Sequence, residues 1–443
     1  MTQPRAGPRA LGLDFGTTNT VLSWATPHHP ADPVVFRFLS LVLFSFRSAL
    51  TFWDEGTEDH PVVKNEAGPW AIQKFIEIAG DCRFIQSLKS FAASRLFEQT
   101  YVYGRAYRFE DLFATFFRTL RAHASPQLEH LPRDVLVGRP VAYAGNRPDE
   151  ALALERYEAA LAPFGFERIR QVYEPVAAAF FYAQSLEEDA TVLVADFGGG
   201  TTDFSVIEFS IAGGKVNAKA LGHAGVGIAG DRFDYRIIDR VVLPELGKGT
   251  MYRSMGKILE MPRSCFQSFA SWHELSVMKH SRDFRELKEL LPFSQEADRV
   301  GRFVRLVESD QGYTLYKAVS EAKEALSTDE AAPFAFRGPG FAIERTIRRA
   351  EFESWISEEL EAIEAALDVA LANSSVQAKD VDRVFLTGGS SFVPAVRRIF
   401  ERRFGEDRIE SGNEFVSIAN GLATIGLRED VDQWVVKPAA RAA

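Results

Sequence analysis

LGLDFGTTNT, residues 11–20, takes an apolar stretch directly into an aspartate, a glycine and a group of hydroxyl and amide side chains. The apolar pattern resumes in residues 21–24, so the sequence predicts a β-hairpin. Its turn is either an ordinary hairpin turn or a binding turn. In a binding turn, Gly16 would let backbone N–H groups approach an anion, the two threonines would add hydroxyl donors, and Asp14 would hold a cation. A single hairpin does not decide between these alternatives.

The same pattern returns in VLVADFGGGTTDFSVIEFS, residues 192–210. An apolar strand again leads into Asp-Phe-Gly, then small and hydroxyl residues, then a second strand, with Asp196 in the position of Asp14. Two such hairpins in one chain indicate a duplicated domain in which each half contributes one turn to a shared cleft. We therefore interpret the two turns as a pair that binds a metal ion and a chain of phosphates.

A third glycine-containing turn supports this interpretation. Residues 381–404 predict a strand, the turn GGSS at 388–391, and a helix that begins near Pro394. Glycines let the backbone approach a ligand closely, and the N-terminus of a helix favours negative charge. Gly-Gly before a helix is common in α/β proteins, so this turn gains its weight from the two hairpins that precede it.

Strands and helices alternate along the rest of the chain, which argues for an α/β fold. Residues 34–53 predict two adjoining strands, and residues 70–100 have a helical pattern with mixed charge. Helices are also predicted over 110–123 and 148–163, with a strand at 134–141 between them.

The composition is that of an ordinary globular protein. The chain of 443 residues is long enough for two to three domains of roughly 100–200 residues each. Its net charge of −10 argues against a nucleic-acid backbone as a partner. Cys82 and Cys265 are the only cysteines and have no metal-ligand spacing, so a reducing compartment is expected.

The N-terminus and the most apolar stretch bear on the location of the protein. MTQPRAGPRA lacks the apolar core of a signal peptide. Residues 34–53 are about as long as a membrane span, but Arg37 and Arg47 would each cost roughly 2.5–3.5 kcal/mol near the bilayer centre. The sequence therefore predicts a cytoplasmic protein without a membrane span.

Taken together, the three turns resemble the nucleotide motifs of the actin-like ATPase superfamily, and in finer detail those of the heat shock protein 70 chaperones of the DnaK type. LGLDFGTTNT is similar to that family's first phosphate motif and VADFGGGTTDFSV to its second. YEPVAAAFFY (173–182) resembles the connecting helix and LTGGSSFVP (386–394) the adenosine motif. SEAKEALS (320–327) and IRRAEFE (347–353) follow the family's order. The resemblance spans about residues 10–427 and is closest to the short, YegD-like branch.

The resemblance implies an actin-like ATPase fold, which is an α/β structure of two lobes. Each lobe would contain a duplicated ribonuclease-H-like mixed sheet flanked by helices, together with an inserted subdomain. Lobe I is expected at residues 10–188 with an insertion at about 39–108, and lobe II at 189–428 with an insertion at about 229–330. The tail at 429–443 is too short for a peptide-binding β-sandwich, so no substrate-binding domain is expected.

The resemblance also implies roles for individual residues around the phosphates. Asp14 and Asp196 would hold Mg²⁺ through its waters, since carboxylate oxygens are hard ligands. Lys89 would be the catalytic lysine near the γ-phosphate and the attacking water, and Glu174 and Asp203 would help organise the metal ion, the water and the hinge. Asp196 would be both a metal-holding and a catalytic residue. The residues that would bind the phosphates of ATP or ADP are Gly16, Thr17, Thr18, Asn19, Gly198, Gly199, Gly200 and Thr201.

At the adenosine end the chain departs from the family in three places. Ser320 stands where a glutamate is usual, and Glu324 and Phe392 replace the two basic residues that sandwich the adenine. An aromatic ring can still stack on a base, but the contribution of the cation is lost. We expect the phosphate end of the site to be intact and the base selectivity to be altered. The residues that do match this end are Lys323, Ser327, Gly388, Gly389 and Ser390.

The function implied by the resemblance is that of an ATP-binding and slowly hydrolysing, chaperone-like protein. Two alternatives stay open. A sugar-type small-molecule kinase would need a carboxylate base and polar residues shaped for an alcohol, and the third class is an actin-like filament protein. Residues 245–316 are either a solvated helical insertion or a surface for a protein client or partner. Neither nucleic acid nor a membrane is expected as a partner.

Overall fold

The computed structural model describes residues 10–57, 60–78, 81–145, 147–212, 215–267, 269, 275, 278–309, 311–412 and 416–436. Within these residues the chain forms two mixed β-sheets, and each sheet is built around one of the two Asp-Phe-Gly hairpins. We keep the names lobe I and lobe II for residues 10–188 and 189–428. The boundary stays a prediction, and in the described part every strand pairs within its own side of it.

Lobe I contains thirteen strands and four α-helices in its described residues. The strands are β1 (Ala10–Phe15), β2 (Asn19–Thr26), β3 (His29–Pro33), β4 (Phe36–Phe38), β5 (Leu41–Leu43), β6 (Phe46–Arg47), β7 (Ala49–Asp54), β8 (Val63–Ala67), β9 (Cys82–Gln86), β10 (Thr100–Val102), β11 (Arg105–Tyr107), β12 (Asp134–Arg139) and β13 (Arg168–Tyr173). The helices are α1 (Gly68–Glu77), α2 (Phe109–His123), α3 (Glu150–Leu161) and α4 (Glu174–Tyr182).

Lobe II contains nine strands and nine α-helices in the residues that the structure describes. The strands are β14 (Ala190–Phe197), β15 (Thr202–Ala212), β16 (Lys215–Val226), β17 (Met251–Ser254), β18 (Lys257–Glu260), β19 (Ala331–Gly338), β20 (Phe341–Arg348), β21 (Arg383–Thr387) and β22 (Ile409–Ser411). The helices are α5 (Gly230–Ile237), α6 (Ser264–Gln267), α7 (Arg282–Leu290), α8 (Ala297–Glu308), α9 (Gly312–Thr328), α10 (Arg349–Trp355), α11 (Ser357–Ser374), α12 (Pro394–Phe404) and α13 (Ser417–Gly426).

The two large sheets have the same topology. Their strand orders are β3-β2-β1-β12-β13 and β16-β15-β14-β21-β22. In each sheet the first two pairings are antiparallel and the last two are parallel. The predicted duplication of a mixed sheet is therefore confirmed, and the Asp-Phe-Gly turn lies at the end of the corresponding central strand in both copies.

Two helices lie between the sheets. A single buried cluster combines Leu136 and Val172 of the first sheet, Val194 of the second, and apolar side chains of α4 and α13. The helices approach so closely that a Cβ at Gly421 would lie 1.7 Å from the carbonyl oxygen of Ala177. Only glycine fits this crossing, and the packed pair holds the two sheets on either side of one cleft.

The most apolar stretch, residues 34–53, contains four short strands instead of the two predicted. β4 pairs with β5, β6 pairs with β2, and β7 pairs with β8 and β9. The turn between β4 and β5 includes Leu39 in the left-handed region with φ of 53°, a conformation for which glycine or asparagine is the usual sequence signal. No helix in the described ranges is long and apolar enough to cross a membrane.

The predicted helical segment at 70–100 is wrong beyond residue 77. The helix α1 ends at Glu77, and the chain continues with strand β9 and a 3₁₀ turn at Leu88–Phe91. Residues 82–86 pair with β7 at the edge of a three-stranded sheet, so tertiary pairing overrides the local helical pattern. The predictions for 110–123, 134–141 and 148–163 are confirmed by α2, β12 and α3.

Residues 245–316 divide into an exposed hairpin and a packed helical part. Residues 268, 270–274, 276–277 and 310 of this segment lie outside the described residues. The hairpin β17–β18 carries the exposed side chains Met251, Met255, Ile258 and Leu259. The helical part is not a solvated insertion, since α7 and α8 contribute Leu287, Val300, Phe303 and other side chains to the core of lobe II.

Candidate functional site

The two Asp-Phe-Gly turns have the same backbone geometry and face each other. The N–H of Gly16 donates to the carbonyl of Asn19 at 3.0 Å, and the N–H of Gly198 donates to that of Thr201 at 3.0 Å. A Cβ built at Gly199 would lie 3.2 Å from the hydroxyl oxygen of Thr18. The hydroxyls of the first turn therefore lie opposite the glycines of the second.

Other glycines and threonines of the predicted set occupy the same gap. A Cβ at Gly200 would lie 3.8 Å from the hydroxyl oxygen of Thr17, and a Cβ at Gly16 would lie only 2.3 Å from the carbonyl oxygen of Asn19. Such close approach of bare backbone is what an anion-binding turn requires.

Ser48 braces the first turn, which the sequence did not reveal. Its N–H donates to the carbonyl of Thr18 at 2.9 Å, and its hydroxyl donates to the carbonyl of Gly16 at 2.7 Å. In a trans peptide the N–H points away from the C=O of the same plane. Because these two carbonyls point toward Ser48, the N–H groups of Thr17 and Asn19 point away from it. The contact joins residues far apart in sequence, so no local pattern could indicate it.

Four carboxylates and one ammonium group meet at the ends of the central strands. Asp14 and Asp196 lie near the ends of β1 and β14, and Glu174 is the first residue of α4. The Nζ atom of Lys89 lies 2.5 Å from Oε1 of Glu174, and both side chains are almost fully buried. Asp203, opposite Asp196 on β15, completes the cluster.

Burial and mutual repulsion perturb the pKa values of these groups. Burial, followed by the charge of Glu174, raises the pKa of both Asp14 and Asp203 to about 7. Burial and the charges of Glu174, Asp14 and Asp203 raise the pKa of Asp196 well above its ordinary value. Burial lowers the pKa of Lys89, but Glu174 and Asp14 raise it by more, so the ammonium group stays charged.

The charge of this cluster fits a hydrated divalent cation. Four carboxylates against one ammonium leave an excess of negative charge in a buried space, and a cation would relieve the repulsion that raises the pKa values of Asp14 and Asp196. Carboxylate oxygens suit Mg²⁺, which keeps several of its waters. In the described parts of the chain no three His, Cys, Asp or Glu side chains are placed to ligate a metal ion together, so Asp14 and Asp196 would hold the ion through its waters.

Asp203 connects the two lobes through backbone hydrogen bonds. Its Oδ1 atom accepts from the N–H groups of Val141 and Ala142 at 2.8 and 3.1 Å. These residues follow Pro140 and β12 of lobe I, whereas Asp203 belongs to β15 of lobe II. The Oδ2 atom is buried and has no hydrogen-bond partner among the described residues, so one oxygen of this carboxylate links the two lobes and the other is available to a water molecule.

The predicted adenosine residues also come together. Lys323 of α9 forms an ion pair with Asp234 at 2.8 Å. A Cβ at Gly230, the first residue of α5, would lie 2.7 Å from the hydroxyl of Ser390 and 3.3 Å from Nζ of Lys323. Ser327 lies one helical turn after Lys323 and donates to its carbonyl at 3.3 Å.

The turn that follows β21 lies against the second Asp-Phe-Gly hairpin. Gly388 has φ of +85°, and a Cβ there would lie 2.1 Å from the carbonyl oxygen of Phe197, so glycine is required at this position. A Cβ at Gly389 would meet no atom within 4 Å, which leaves its backbone open. The third turn is thereby placed beside the second.

The three departures from the family lie at the outer part of the adenosine end. Ser320 donates to Oε1 of Glu324 at 3.3 Å on the surface of α9. Phe392 ends the 3₁₀ turn at Gly389–Phe392 and is 48% exposed. An exposed aromatic ring of this kind offers a stacking face without a charge.

Asp231 is a further residue that the sequence analysis missed. Its N–H donates to the carbonyl of Gly199 at 2.8 Å, and its carboxylate faces Gly199 and Gly200. Burial, followed by the charge of Asp234, raises its pKa to about 6. An acidic residue in the first turn of a helix is common because it complements the helix dipole, so no local pattern assigns Asp231 to the site.

The cleft is bridged above the site by aromatic side chains. Tyr313 of α9 lies edge-on to Phe75 and Phe84 of lobe I, with ring centroids 6.0 and 5.6 Å apart. Tyr313 and Tyr316 pack on the small apolar cluster that includes Ala49 and Phe84. The helix that carries Lys323 therefore contacts both lobes.

Comparison with known proteins identifies the family. The sequence model described as Hsp70 protein matches residues 90–249 and 307–429, which is more than half of the chain. The chaperone protein DnaK of Deinococcus proteolyticus is 28% identical over 432 residues, covering 94% of this chain and 58% of that protein. The DnaK of Thermus thermophilus is 25% identical over 426 residues, covering 94% and 60%.

A third relative, the DnaK of Deinococcus radiodurans, is 29% identical over 319 residues, covering 71% of this chain and 42% of that protein. All three are named chaperones, and none is a kinase or a filament protein. The chain spans about three fifths or less of the length of these curated relatives. With the two duplicated sheets around one cleft, it has the actin-like ATPase fold, and it belongs to the Hsp70 protein family.

Proposed function

We propose that this protein binds Mg-ATP between its two lobes, hydrolyses it slowly, and couples that cycle to a polypeptide partner as a chaperone-like protein. The observation that carries the proposal is the pair of equivalent turns that face each other beside the Lys89–Glu174 ion pair. Phosphoryl transfer is catalysed mainly by positioning and by neutralising charge, and the site offers both. Bound Mg²⁺ would neutralise phosphate oxygens next to Asp14 and Asp196.

Different residues of the chain would bind the phosphates, stabilise the developing charge and orient the attacking water. The backbone N–H groups of the two turns and the hydroxyls of Thr17, Thr18 and Thr201 would hold the phosphates. Lys89 keeps its charge, and Glu174 holds it in one place, so its ammonium group would stabilise the charge that develops on the transferred phosphate. Asp203, with a pKa of about 7 and one free oxygen, would orient the attacking water and receive its proton.

We also propose the nucleotide contacts of the adenosine end. Lys323, Ser327 and Ser390 would bind the ribose and the base, since Lys323 and Ser390 lie against Gly230 and Ser327 follows Lys323 by one helical turn. The short, YegD-like branch of the family and a cytoplasmic location belong to the same proposal. They are supported by the sequence motifs and by the low cysteine content.

The proposed partner surface is the hairpin at residues 251–260. Met255 is fully exposed and Ile258 is 55% exposed, and the hairpin lies in the stretch that the family model leaves unmatched. Arg253 and Lys257 lie beside these apolar side chains. We infer that its occupant is an extended polypeptide segment with apolar residues and acidic neighbours, which would pair with the exposed strand β18.

Ligand-dependent melting tests the nucleotide proposal. Mg-ATP or Mg-ADP at about 100 times its dissociation constant should stabilise the fold by roughly 2.7 kcal/mol. The same preparation should release inorganic phosphate from ATP without an added acceptor. Absence of any melting shift at millimolar nucleotide would overturn the proposal, and phosphate transfer to an added sugar would replace hydrolysis by kinase activity.

The hairpin test must spare the core of lobe II. Removing the whole of 245–316 would delete buried residues such as Phe266, Val300 and Phe303, so the change is confined to Met251, Met255, Ile258 and Leu259, each replaced by serine. The variant should melt with Mg-ATP like the wild type but lose capture of a fluorescent, permanently unfolded polypeptide. Undiminished capture by the variant would contradict the assignment of this surface.

A further inference from the structure

Arg156 is a buried arginine of helix α3 in lobe I. It is 9% exposed, and its four hydrogen bonds within the described residues all go to backbone carbonyl oxygens. Its Nη1 atom donates to the carbonyls of Phe91 at 2.7 Å, Ala92 at 3.1 Å and Ser94 at 3.1 Å, and its Nη2 atom donates to that of Phe97 at 2.5 Å. One guanidinium group therefore gathers four carbonyls of a single short segment.

This segment, residues 91–97, begins two residues after Lys89. Lys89 lies in the 3₁₀ turn at Leu88–Phe91, and the N–H of Ala92 donates to its carbonyl at 3.0 Å. In the described part of the chain no strand pairing includes residues 88–97. The backbone that carries Lys89 is therefore held by contacts from other parts of lobe I and not by a sheet.

The start of α3 makes a second contact with the same segment. Asp149, the residue before α3, donates its N–H to the carbonyl of Ala93 at 2.8 Å. The Oδ2 atom of Asp149 accepts from Nε of Arg95 at 2.6 Å. The side chain of Arg95 is 79% exposed, so water competes for this ion pair. The buried guanidinium of Arg156 is shielded from such competition, and we take it to be the main anchor.

A guanidinium group suits this role because of its geometry and its permanent charge. It has five N–H donors in one plane, and it stays protonated in proteins. Hydrogen bonds from a charged donor are stronger than those between neutral groups. A buried arginine usually pairs with a carboxylate, but here the backbone oxygens of residues 91–97 take that place. The charge of Arg156 is thus used to fix a main-chain path.

We propose that Arg156 is a positioning residue for hydrolysis, which fixes the backbone of residues 91–97 and so holds the ammonium group of Lys89 against Glu174. The proposal rests on the proposed function, since it requires Lys89 to act on the transferred phosphate. Arg156 acts through the main chain and not by contact with the nucleotide. A displacement of about 1 Å at a reacting group can slow a reaction by about 10²-fold, so a looser anchor should reduce turnover while the phosphate-binding turns stay intact.

The first test measures hydrolysis and binding separately in Arg156→Lys. An ammonium group keeps the charge but has three donors, so it cannot give each of the four carbonyls its own hydrogen bond. Single-turnover hydrolysis should slow by roughly 10- to 100-fold, whereas the calorimetric affinity for Mg-ADP should change by less than about twofold.

Arg121→Lys is the matched control for this test. Arg121 lies on α2 of the same lobe and also donates to backbone carbonyls, those of Leu128 and Glu129 at 2.8 and 2.6 Å. Its acceptors lie in a loop that does not carry Lys89. The variant should therefore hydrolyse ATP like the wild type, even if it melts at a lower temperature.

Chemical rescue of Arg156→Ala gives a second measurement. A cavity of about 440 Å³ lies against Arg156 and is also bounded by Glu98, Leu152 and Glu155, so a small cation can reach the place of the removed side chain. The variant should hydrolyse ATP as slowly as Arg156→Lys. Millimolar guanidinium should restore part of its turnover, whereas urea at the same concentration should not. Equal recovery with urea would overturn the assignment of this role to the charged group.

The Lys89→Met background separates positioning of Lys89 from general support of the lobe. If Arg156 acts through Lys89, adding Arg156→Lys to Lys89→Met should cause little further slowing. A full further loss in that background, or a parallel loss of Mg-ADP affinity, would make Arg156 a support of the whole lobe and overturn the proposal. A wild type that hydrolyses no ATP would refute the proposed function, whereas wild-type turnover in Arg156→Lys beside a slow Lys89→Met would remove this inference alone.

Discussion

The phosphate end and the base end of the cleft are built in different ways. The phosphate end consists of two equivalent turns, one from each lobe. In the first turn the N–H of Gly16 donates to the carbonyl of Asn19, and in the second the N–H of Gly198 donates to the carbonyl of Thr201. The proposed base end is one-sided, since α5, α9 and the turn at 388–391 all belong to lobe II. The departures from the family, Ser320, Glu324 and Phe392, all lie at the base end.

The two ends should differ in how much substitution they tolerate. Phosphates would be bound by backbone N–H groups, and a backbone geometry that needs glycine at 16 tolerates little change. The base would be contacted by side chains, which can be exchanged one at a time without altering the turns. We therefore expect substitutions at the phosphate end to affect chemistry and metal dependence strongly, and those at the base end to have graded effects on affinity.

Lys89→Ala should give the largest effect. Because Lys89 is proposed to act mainly on the transition state, single-turnover hydrolysis should slow by roughly 10²–10³ while the affinity for Mg-ADP changes little. The control is Lys74→Ala, at a lysine of α1 that pairs with Glu77 on the surface. Hydrolysis at the wild-type rate in Lys89→Ala would show that this lysine has been assigned the wrong role.

The Lys89 experiment also needs a measure of folding, since the change leaves Glu174 without its buried partner. Removing one member of a buried ion pair can cost several kcal/mol. Lys89→Met keeps most of the side-chain volume and should lose hydrolysis to the same extent. If Lys89→Met retained hydrolysis, the loss in Lys89→Ala would reflect packing and not charge.

Asp196→Asn should have the next largest effect, and it should depend on the metal. With the carboxylate gone, affinity for Mg-ATP should fall by roughly 10- to 100-fold, whereas affinity for ATP in the presence of a chelator should stay near that of the wild type. Calorimetric titrations with and without Mg²⁺ separate the two. Equal losses under both conditions would indicate damage to the turn itself.

The sequence predicted the three turns and the elements that flank them for a physical reason. Asp-Phe-Gly between two apolar strands is a local pattern, and both hairpins form where it occurs. Its repetition predicted the duplicated sheet, whose strand order is the same in both copies. The third turn also follows from a local pattern, since its strand and helix adjoin it in sequence.

Contacts between residues that are distant in sequence could not be predicted from local patterns. Ser48 and Asp231 each reach the cleft through pairing or packing that depends on the folded sheets. The strand at 82–86 was mistaken for helix because its partner β7 lies about 30 residues away in the chain and the local pattern carried no sign of it. The apolar stretch at 34–53 concealed its turns because no glycine or proline marks them.

Phe392→Arg should have a smaller effect, limited to the base. A guanidinium in place of the exposed ring restores a cation beside the base, which is worth about 0.5–1 kcal/mol at an exposed site. Affinity for Mg-ATP should therefore rise by roughly two- to fivefold, and kcat should not change. Phe293→Arg, at an exposed phenylalanine of the 3₁₀ turn after α7, is the control. An increase in kcat without a change in affinity would mean that a residue of the base end affects the chemical step at the phosphate end.

Asp231 lies where the two ends meet, between Gly199 and the Lys323–Asp234 pair, and its titration should give the smallest effect. Its pKa is raised from 3.8 to about 6, chiefly by burial. Below pH 3.8 both folded and unfolded states hold the proton. Between pH 4 and 6 the unfolded state releases it first, so this group lowers the free energy of unfolding as the pH rises, and above about pH 6 the loss is complete.

Asp231→Asn should remove this loss while keeping the shape of the side chain. Near pH 4 the variant should have the same free energy of unfolding as the wild type, and at pH 8 a higher one, by an amount on the order of 1–2 kcal/mol. The difference is smaller than the full cost of burying the charge because the helix dipole of α5 offsets part of that cost. Melting curves of the ligand-free protein across this range measure the difference, with Asp329→Asn, at an exposed aspartate just after α9, as the control. A variant that is less stable than the wild type at pH 8 would mean that the charge of Asp231 stabilises the folded cleft, and the meeting point of the two ends would then rely on that carboxylate being ionised.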